Sequence, residues 1–389
     1  MKLFKSLISL CAIIGLLVIL TGCPTVANRE ETKSPLGKVN FACFDTVSYV
    51  YSYAGDSQET FDANANAVFE LLGEYHRLFD IYYEHTGVTN LRTLNKNAGG
   101  EPMVVDEKLI DFLLYAKELY KTTNGEMNIM MGSVLSLWHD AREAGTFEGL
   151  YCNNCRRFSP VDDCVDNKCP QIAPGEPDDS EKKCGHPSLI SFEYELEKRA
   201  QHISFESLEI DAENNTVRIS DPEASIDVGA LGKGYATEKA AQYLIENGVS
   251  SYVLNIGGNI RIIGHKPDGS GWGTGIKDPA DTDRYAITLT LADTSCVTSG
   301  DYERYFSVGG QRYHHIIDKD TLMPAAYFSS VSIFTEDSGL ADALSTALFA
   351  MSYEEGRAIV ENLGNVDVIW ITPDGEMYYT DGIEELIRK

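Results

Sequence analysis

The sequence is short of positive charge. Its 389 residues contain 32 Lys and Arg against 59 Asp and Glu, which gives a formal net charge of −27. Nucleic-acid binding depends on a basic surface that neutralises phosphates, so this class of function is excluded. Attraction to anionic lipid headgroups is disfavoured for the same reason. A phosphorylated ligand would require a bound cation or a local cluster of donors to offset like charge.

The long apolar run of the chain stands at its N-terminus. "LISLCAIIGLLVIL" follows Lys2 and Lys5 and ends at "LTGC". The run is short for an uncleaved transmembrane anchor. The small residues before Cys23 match a bacterial lipoprotein cleavage site. We therefore predict a leader over residues 1–22, lipidation of Cys23, a flexible tether over residues 23–39, and a membrane-anchored location facing outside the cytoplasm.

The sequence has no visible internal repeat and lacks regular βαβ spacing, which favours an α+β fold over a doubly wound sheet. We expect one large mixed domain over residues 40–389. Apolar spacing predicts helices over 60–84, 108–125, 133–145, 235–247 and 339–351. Alternating β-branched and aromatic residues predict strands over 41–55, within 207–228, over 251–264, around 285–300 and 329–337, and in a hairpin over 366–380.

Apolar residues are sparse in a cysteine-rich insertion over residues 151–187. It holds five of the nine cysteines, with His186 nearby: Cys152, Cys155, Cys164, Cys169 and Cys184. Disulfides are the ordinary explanation in an exported protein. The "CNNC" spacing also allows two thiolates to bind one metal ion. Free thiols are a third alternative, and the odd count leaves one thiol over or paired with Cys43 or Cys296.

The stretch "SIDVGALGKGYAT" over residues 225–237 looks like a phosphate-binding loop but lacks its spacing. Gly229 and Gly232 are too close together for a Walker loop, and Gly234 stands where a hydroxyl should follow Lys233. The dinucleotide-binding fingerprint is also absent. A glycine turn entering a helix with a lysine still suits an anion. The plain alternative is a strand-to-helix turn.

Two further stretches carry candidate chemistry. In "ADALSTALF", Asp342, Ser345 and Thr346 share one face of a helix. Oxygen ligands of this kind suit a hard cation such as Mg²⁺, although an ordinary polar stripe is the alternative. In "YHHIID", His314 and His315 end a predicted strand. Histidine is the side chain best suited to take a proton near neutral pH, and a surface pair without function is the alternative.

Taken in order, "DVGALGKG", "NIGGNI", "TSGDYERYF", "HHIID" and "ADALST" resemble the ApbE family of bacterial flavin transferases. The resemblance covers roughly residues 40–389 apart from the cysteine-rich insertion, and the lipoprotein leader fits it. It implies Mg²⁺-dependent transfer of the FMN half of FAD onto a threonine hydroxyl, with release of AMP. The implied acceptors are exported flavoproteins such as subunits of membrane electron-transfer complexes. FAD hydrolysis to FMN and AMP, and non-catalytic flavin binding, are the alternatives.

The resemblance also implies roles for individual residues. The metal ligands would be Asp342, Ser345, Thr346 and the carbonyl of Ala230, and His315 would be the general base. Ser345 stands where the family often has an acid. The residues expected to contact FAD are Phe44, Tyr82, Glu126, Met127, Asn128, Asp227, Lys233 and Ile317. Phe44 replaces a common methionine and Asn128 a common aspartate.

Overall fold

The structure is a computed structural model that describes residues 35–148, 150–152, 157–159 and 190–388. The predicted leader, Cys23, most of the tether and most of the cysteine-rich insertion lie outside the described residues. Within the described part of the chain, no helix is both long and apolar enough to cross a membrane.

Helices and strands are interleaved along the chain, as expected for the predicted α+β class. The helices are α1 Gln58–Phe79, α2 Leu91–Lys96, α3 Glu107–Thr122, α4 Gly132–Ala144, α5 Phe192–Arg199, α6 Gly232–Glu246, α7 Ser338–Phe349, α8 Tyr353–Leu363 and α9 Gly382–Leu386. The strands are β1 Leu36–Asn40, β2 Ser48–Ser52, β3 Met103–Val104, β4 Leu150–Cys152, β5 Arg157–Ser159, β6 Ile190–Ser191, β7 Leu208–Asp211, β8 Thr216–Ile219, β9 Ser251–Ile256, β10 Asn259–Gly264, β11 Trp272–Asp278, β12 Asp281–Leu291, β13 Ser295–Gly300, β14 Tyr305–Val308, β15 Gln311–His314, β16 Ser330–Thr335, β17 Asp367–Ile371 and β18 Met377–Tyr379.

An eight-stranded antiparallel sheet organises the domain, in the order β1-β2-β9-β10-β13-β16-β17-β18. Helices α1, α6 and α7 pack on one face around the main apolar core. The β11–β12 ribbon and α9 cover part of the other face, where Trp272, Leu289 and Ile383 pack against Ile369. Every residue of β16 is buried, because both faces of the sheet are covered at that strand.

Local signals account for several element ends. The Ser57 side chain accepts a hydrogen bond from Thr60 N and so begins α1. Gly257 and Gly258 both have positive φ, which a two-residue hairpin between β9 and β10 requires. A Cβ on Gly257 would lie 2.5 Å from Thr46 Oγ1, so the loop before β2 approaches this turn closely.

Two sequence-based boundaries are wrong. The predicted strand over 41–55 is only Ser48–Ser52, because Phe44 and Asp45 adopt positive φ and break the extended chain. The predicted tether over 23–39 overlaps β1, which pairs with β2 over its whole length from Leu36 to Asn40. The ordered domain therefore begins before residue 40.

Cys43 and Cys296 are buried free thiols. The alternative in which either one pairs with the odd cysteine of the insertion is therefore wrong. The state of Cys155, Cys164, Cys169 and Cys184 lies outside the described residues.

Candidate active site

A pocket of about 650 Å³ opens where the hairpin turn after β9, the N-terminus of α6 and the end of β15 meet. Most of the residues singled out from the sequence line it. They are Tyr82, Glu126, Met127, Asn128, Asp227, Ala230, Lys233, His315, Ile317, Asp342 and Thr346. Stretches from across the chain therefore form one site, and only Phe44 and Ser345 stay outside its lining.

The glycine turn and α7 meet through Asp342. Its Oδ2 accepts a hydrogen bond of 2.8 Å from Gly234 N, in the first turn of α6. A Cβ on Gly234 would lie 2.3 Å from Asp342 Cβ and 2.4 Å from Ser338 O, so no side chain fits there. Gly234 is thus needed for the contact between the two helices. The positive end of α6 also stabilises the Asp342 carboxylate.

Oxygen donors cluster around this carboxylate. Asp342 and Thr346 line the pocket from α7, and Ala230 lines it from the glycine turn. Asn259 is 1% exposed, its Oδ1 has no hydrogen-bond partner among the described residues, and its Nδ2 lies 3.5 Å from Asp342 Oδ2. A buried carbonyl oxygen without a donor favours a cation nearby, since an unsatisfied acceptor is costly. Carboxylate, hydroxyl and carbonyl oxygens are the donors that suit Mg²⁺.

Lys233 shares this end of the pocket. Its Nζ lies 4.0 Å from Asp342 Oδ2 and donates to the Gly229 carbonyl at 3.3 Å. The ammonium group therefore partly neutralises the carboxylate and stays available to an anionic ligand.

Ser345 is placed differently from its two neighbours. It is fully buried, and its hydroxyl donates to the Asp342 carbonyl at 2.9 Å and contacts Ser299 Oγ at 2.9 Å. Its position stabilises the helix that carries Asp342. A direct metal contact by Ser345 stays a prediction from the resemblance.

The two adjacent histidines differ in environment. His314 is buried, its Nε2 donates to the Ala325 carbonyl, and its Nδ1 accepts from Ile316 N. His315 is exposed to the pocket, and its Nδ1 lies 3.2 Å from the Arg304 carbonyl. A carbonyl only accepts, so Nδ1 carries the proton and Nε2 holds the free lone pair. Desolvation by the pocket walls and then the charge of Arg304 lower the pKa of His315, which keeps the ring neutral.

Two acids of the pocket lining have a pKa above the usual range. Asp227 Oδ1 accepts from Gly229 N at 2.8 Å, and desolvation raises the pKa of Asp227 against the opposing effect of that bond. Desolvation also raises the pKa of Glu126, while an ion pair of 3.0 Å with Lys319 opposes the shift. The Glu126–Lys319 pair joins the loop after α3 to the loop after β15.

The remaining residues that the resemblance assigns to FAD contact offer fewer free polar groups to the pocket. Asn128 uses both ends of its amide on local backbone, donating to the Ile203 carbonyl and accepting from Met130 N. Met127 and Ile317 are nearly buried apolar surface. Phe44 packs edge-on against His76, with ring centroids 5.6 Å apart. It therefore supports α1 instead of lining the pocket.

Sequence reasoning missed the outer wall of the pocket. Arg142 and His139 come from α4, and Lys277 and Arg304 come from β11 and from the loop before β14. Arg142 Nη2 contacts His139 Nδ1 at 2.8 Å. Neither Arg142 nor Arg304 forms an ion pair with a carboxylate among the described residues. The available signals were the i, i+3 spacing of His139 and Arg142 on a predicted helix and the position of Arg304 in the stretch "TSGDYERYF".

The pocket thus combines oxygen donors that suit a hard cation, guanidinium groups with no carboxylate partner among the described residues, and a neutral imidazole, in an otherwise acidic protein. Such a set suits an enzyme that transfers phosphorus-containing groups, because this chemistry depends on positioning and charge neutralisation. The family model described as "ApbE family" matches residues 44–370. The chain therefore belongs to the ApbE family, and it is a transferase.

Individual relatives agree with this family. A protein of Treponema pallidum named FAD:protein FMN transferase is 30% identical over 77% of this chain and 75% of its own length. One of Klebsiella pneumoniae with the same name is 26% identical over 81% of this chain and 84% of its own. The solved ApbE protein of Thermotoga maritima superposes with a TM-score of 0.70 at 25% identity, covering 92% of this chain and 100% of that one.

Proposed function

We propose that this protein transfers the FMN moiety of FAD onto a threonine hydroxyl of an exported flavoprotein, releasing AMP in an Mg²⁺-dependent reaction. One observation carries the proposal. The oxygen donors of Asp342, Thr346 and Ala230 share a pocket with the free Nε2 of a neutral His315. The names of the relatives support FAD and FMN as the flavins.

Asp342, Thr346 and the Ala230 carbonyl would hold the cation, and Asn259 Oδ1 is a further oxygen beside them. When bound, Mg²⁺ would supply a Lewis acid that stabilises negative charge on the pyrophosphate of FAD. Lys233 and Arg142 are the protein's own cations for the same charge. They compensate for the strongly acidic composition of the chain.

The transfer step forms one bond and breaks another. The acceptor threonine oxygen forms a bond to the FMN phosphorus while the pyrophosphate P–O bond breaks, and AMP leaves with the electron pair. His315 Nε2 accepts the proton of the threonine hydroxyl, and the Arg304 carbonyl fixes the ring in the required tautomer. His315 is exposed, so a protein segment has access to it.

The location of the protein is part of the proposal. Cys23, at the predicted cleavage site, would carry the lipid and keep the enzyme on the outer side of the membrane. Acceptors on the same side, such as FMN-binding subunits of membrane electron-transfer complexes, would then be within reach.

An intact-mass measurement tests the proposal. The purified protein is incubated with FAD, Mg²⁺ and an FMN-binding subunit of such a complex. We expect one FMN-sized adduct on the acceptor, equimolar AMP, and no adduct on an acceptor whose threonine is replaced by valine. AMP release without any adduct would mean that water is the acceptor and the enzyme is an FAD pyrophosphatase. Flavin binding without AMP release would reduce it to a binding protein.

A further inference from the structure

Helices α6 and α7 satisfy each other's N-termini with carboxylates. Asp342 of α7 accepts from Gly234 N of α6 at 2.8 Å. In return, Glu238 of α6 accepts from Ser338 N, the first residue of α7, at 3.0 Å. The first N–H groups of a helix have no partner within the helix, so each carboxylate completes the hydrogen bonding of the other helix.

A second carboxylate, that of Asp337, also accepts hydrogen bonds from the N-terminus of α7. Asp337 Oδ1 accepts from Gly339 N at 2.7 Å and from Leu340 N at 3.2 Å, which makes Asp337 the N-cap. Asp337 is itself held by Tyr115 Oη at 2.9 Å. Glu238 therefore reaches the one early N–H of α7 that Asp337 leaves free.

Glu238 is a costly residue to bury. It is 8% exposed, and its neutralising partner Arg261 is 1% exposed, with Nε 3.4 Å from the same Oε2. A buried ion pair contributes little net stability compared with apolar residues of similar size. The pair therefore suggests a positional role, and Asp342 lies one helical turn after the Ser338 N–H that Glu238 holds.

We propose that Glu238 is a positioning residue that sets Asp342 for the cation by fixing the N-terminus of α7. The inference rests on the proposed function, because it takes Asp342 as a cation ligand. The close backbone contact at Gly234 makes the placement sensitive, since α7 has no room to shift toward α6. Loss of an outer-shell partner of this kind typically weakens metal affinity about 10–100-fold.

Two variants test the proposal by different routes. Glu238→Ala removes the carboxylate but also leaves Arg261 without this partner. Ser338→Pro keeps both charges and removes the N–H that Glu238 accepts from, together with the buried Ser338 hydroxyl, at a helix position where proline is tolerated. The extended backbone of Asp337 (ψ 114°) suits a residue before proline. Glu355→Ala is the control for loss of a glutamate at a helix N-terminus, because Glu355 accepts from the N-cap Ser352 N of its own helix and no residue of α8 lines the pocket.

The measured quantity is the affinity for Mn²⁺ in the presence of ADP. The electron paramagnetic resonance signal of free Mn²⁺ reports how much of the ion is bound. We expect about tenfold weaker binding in Glu238→Ala and Ser338→Pro, no additivity in the double variant, and unchanged binding in Glu355→Ala. Circular dichroism establishes that each variant is folded. Wild-type binding in folded Ser338→Pro would overturn the positioning proposal alone. No Mn²⁺ binding by the wild type would overturn the cation assignment and this inference with it.

Discussion

The inner and outer halves of the pocket are built in different ways. In the inner half, Asp342 is held by a backbone N–H, and Gly234 leaves no room for a side chain between the helices. In the outer half, long side chains such as Arg142, Lys277 and Arg304 project from α4, β11 and a loop. In the inner half, a backbone hydrogen bond and the close helix contact fix the position of Asp342. The outer half depends on side chains with many rotamers.

This difference separates two tasks. Chemistry on a phosphorus centre requires donors fixed to a fraction of an ångström, and the inner half supplies them from packed helices. Recognition of a large flavin and a protein acceptor tolerates more variation. We therefore expect substitutions to cost most at the inner half and progressively less toward the outer wall.

The largest effect is expected for Asp342→Asn. The amide keeps the size of the carboxylate but removes the charge that would hold the proposed cation, so we expect transfer and AMP release both to fall below detection. Adduct formation and AMP release are measured over a range of Mg²⁺ concentrations. Full activity in Asp342→Asn would exclude Asp342 as a metal ligand.

His315→Ala is expected to reduce the rate of transfer about 10²–10⁴-fold, the usual effect of removing a positioned general base. The matched control is His314→Gln. His314 is buried and bonded at both ring nitrogens, so its loss should lower the melting temperature while kcat stays near wild type. Equal losses of kcat in the two variants would contradict the division of roles between the histidines.

The inner half could be predicted from sequence because its geometry requires particular residue types at particular positions. Gly234 and Asp342 each fill a place that few other residues can, so short motifs record them. The physical reason for Gly234 came only from the structure, which shows close approach of α7.

Apart from Arg304, which lies in the stretch "TSGDYERYF", the outer half left no comparable signal. Periodicity predicts that α4 is a helix, but it does not say which of its polar residues face a pocket made by distant segments. The loop at Phe44 was misjudged for a related reason. Positive φ at two successive residues other than glycine is uncommon, and local β propensity argued for a continuous strand.

Arg142→Ala is expected to raise KM for FAD about tenfold with a smaller change in kcat. A charge-assisted hydrogen bond contributes roughly 1.5–3 kcal/mol, and tenfold corresponds to about 1.4 kcal/mol. Steady-state kinetics with FAD as the varied substrate measures the effect. Arg312→Ala is the control, since Arg312 is exposed and pairs with Asp301 outside the pocket lining. An unchanged KM in Arg142→Ala would remove this residue from the FAD site.

The pH dependence of kcat tests the environment of His315. The neutral ring would be the active form of His315 as the proposed base, and the pKa of His315 is lowered, so activity should persist below the usual imidazole pKa of about 6.5 and fall only at more acidic pH. Arg304→Gln removes one of the charges that lower the pKa of His315, and it keeps the backbone carbonyl that orients the ring. The acidic limb should therefore move to higher pH. A shift to lower pH would contradict the assignment of His315 as the titrating base.

The smallest effect is expected for the cysteine-rich insertion. Ser159 of β5 and Ser191 of β6 both pair opposite Leu150, on the two sides of β4, so they lie about 9.6 Å apart across two strand spacings. A six-residue Gly/Ser linker reaches up to about 20 Å and can replace residues 161–188 without disturbing these strands. FAD turnover should change less than about twofold, within the range of surface changes. A tenfold increase in KM for FAD, as expected for Arg142→Ala, would instead show that the insertion contributes to FAD binding. The outer half of the pocket would then extend beyond the residues that line it here.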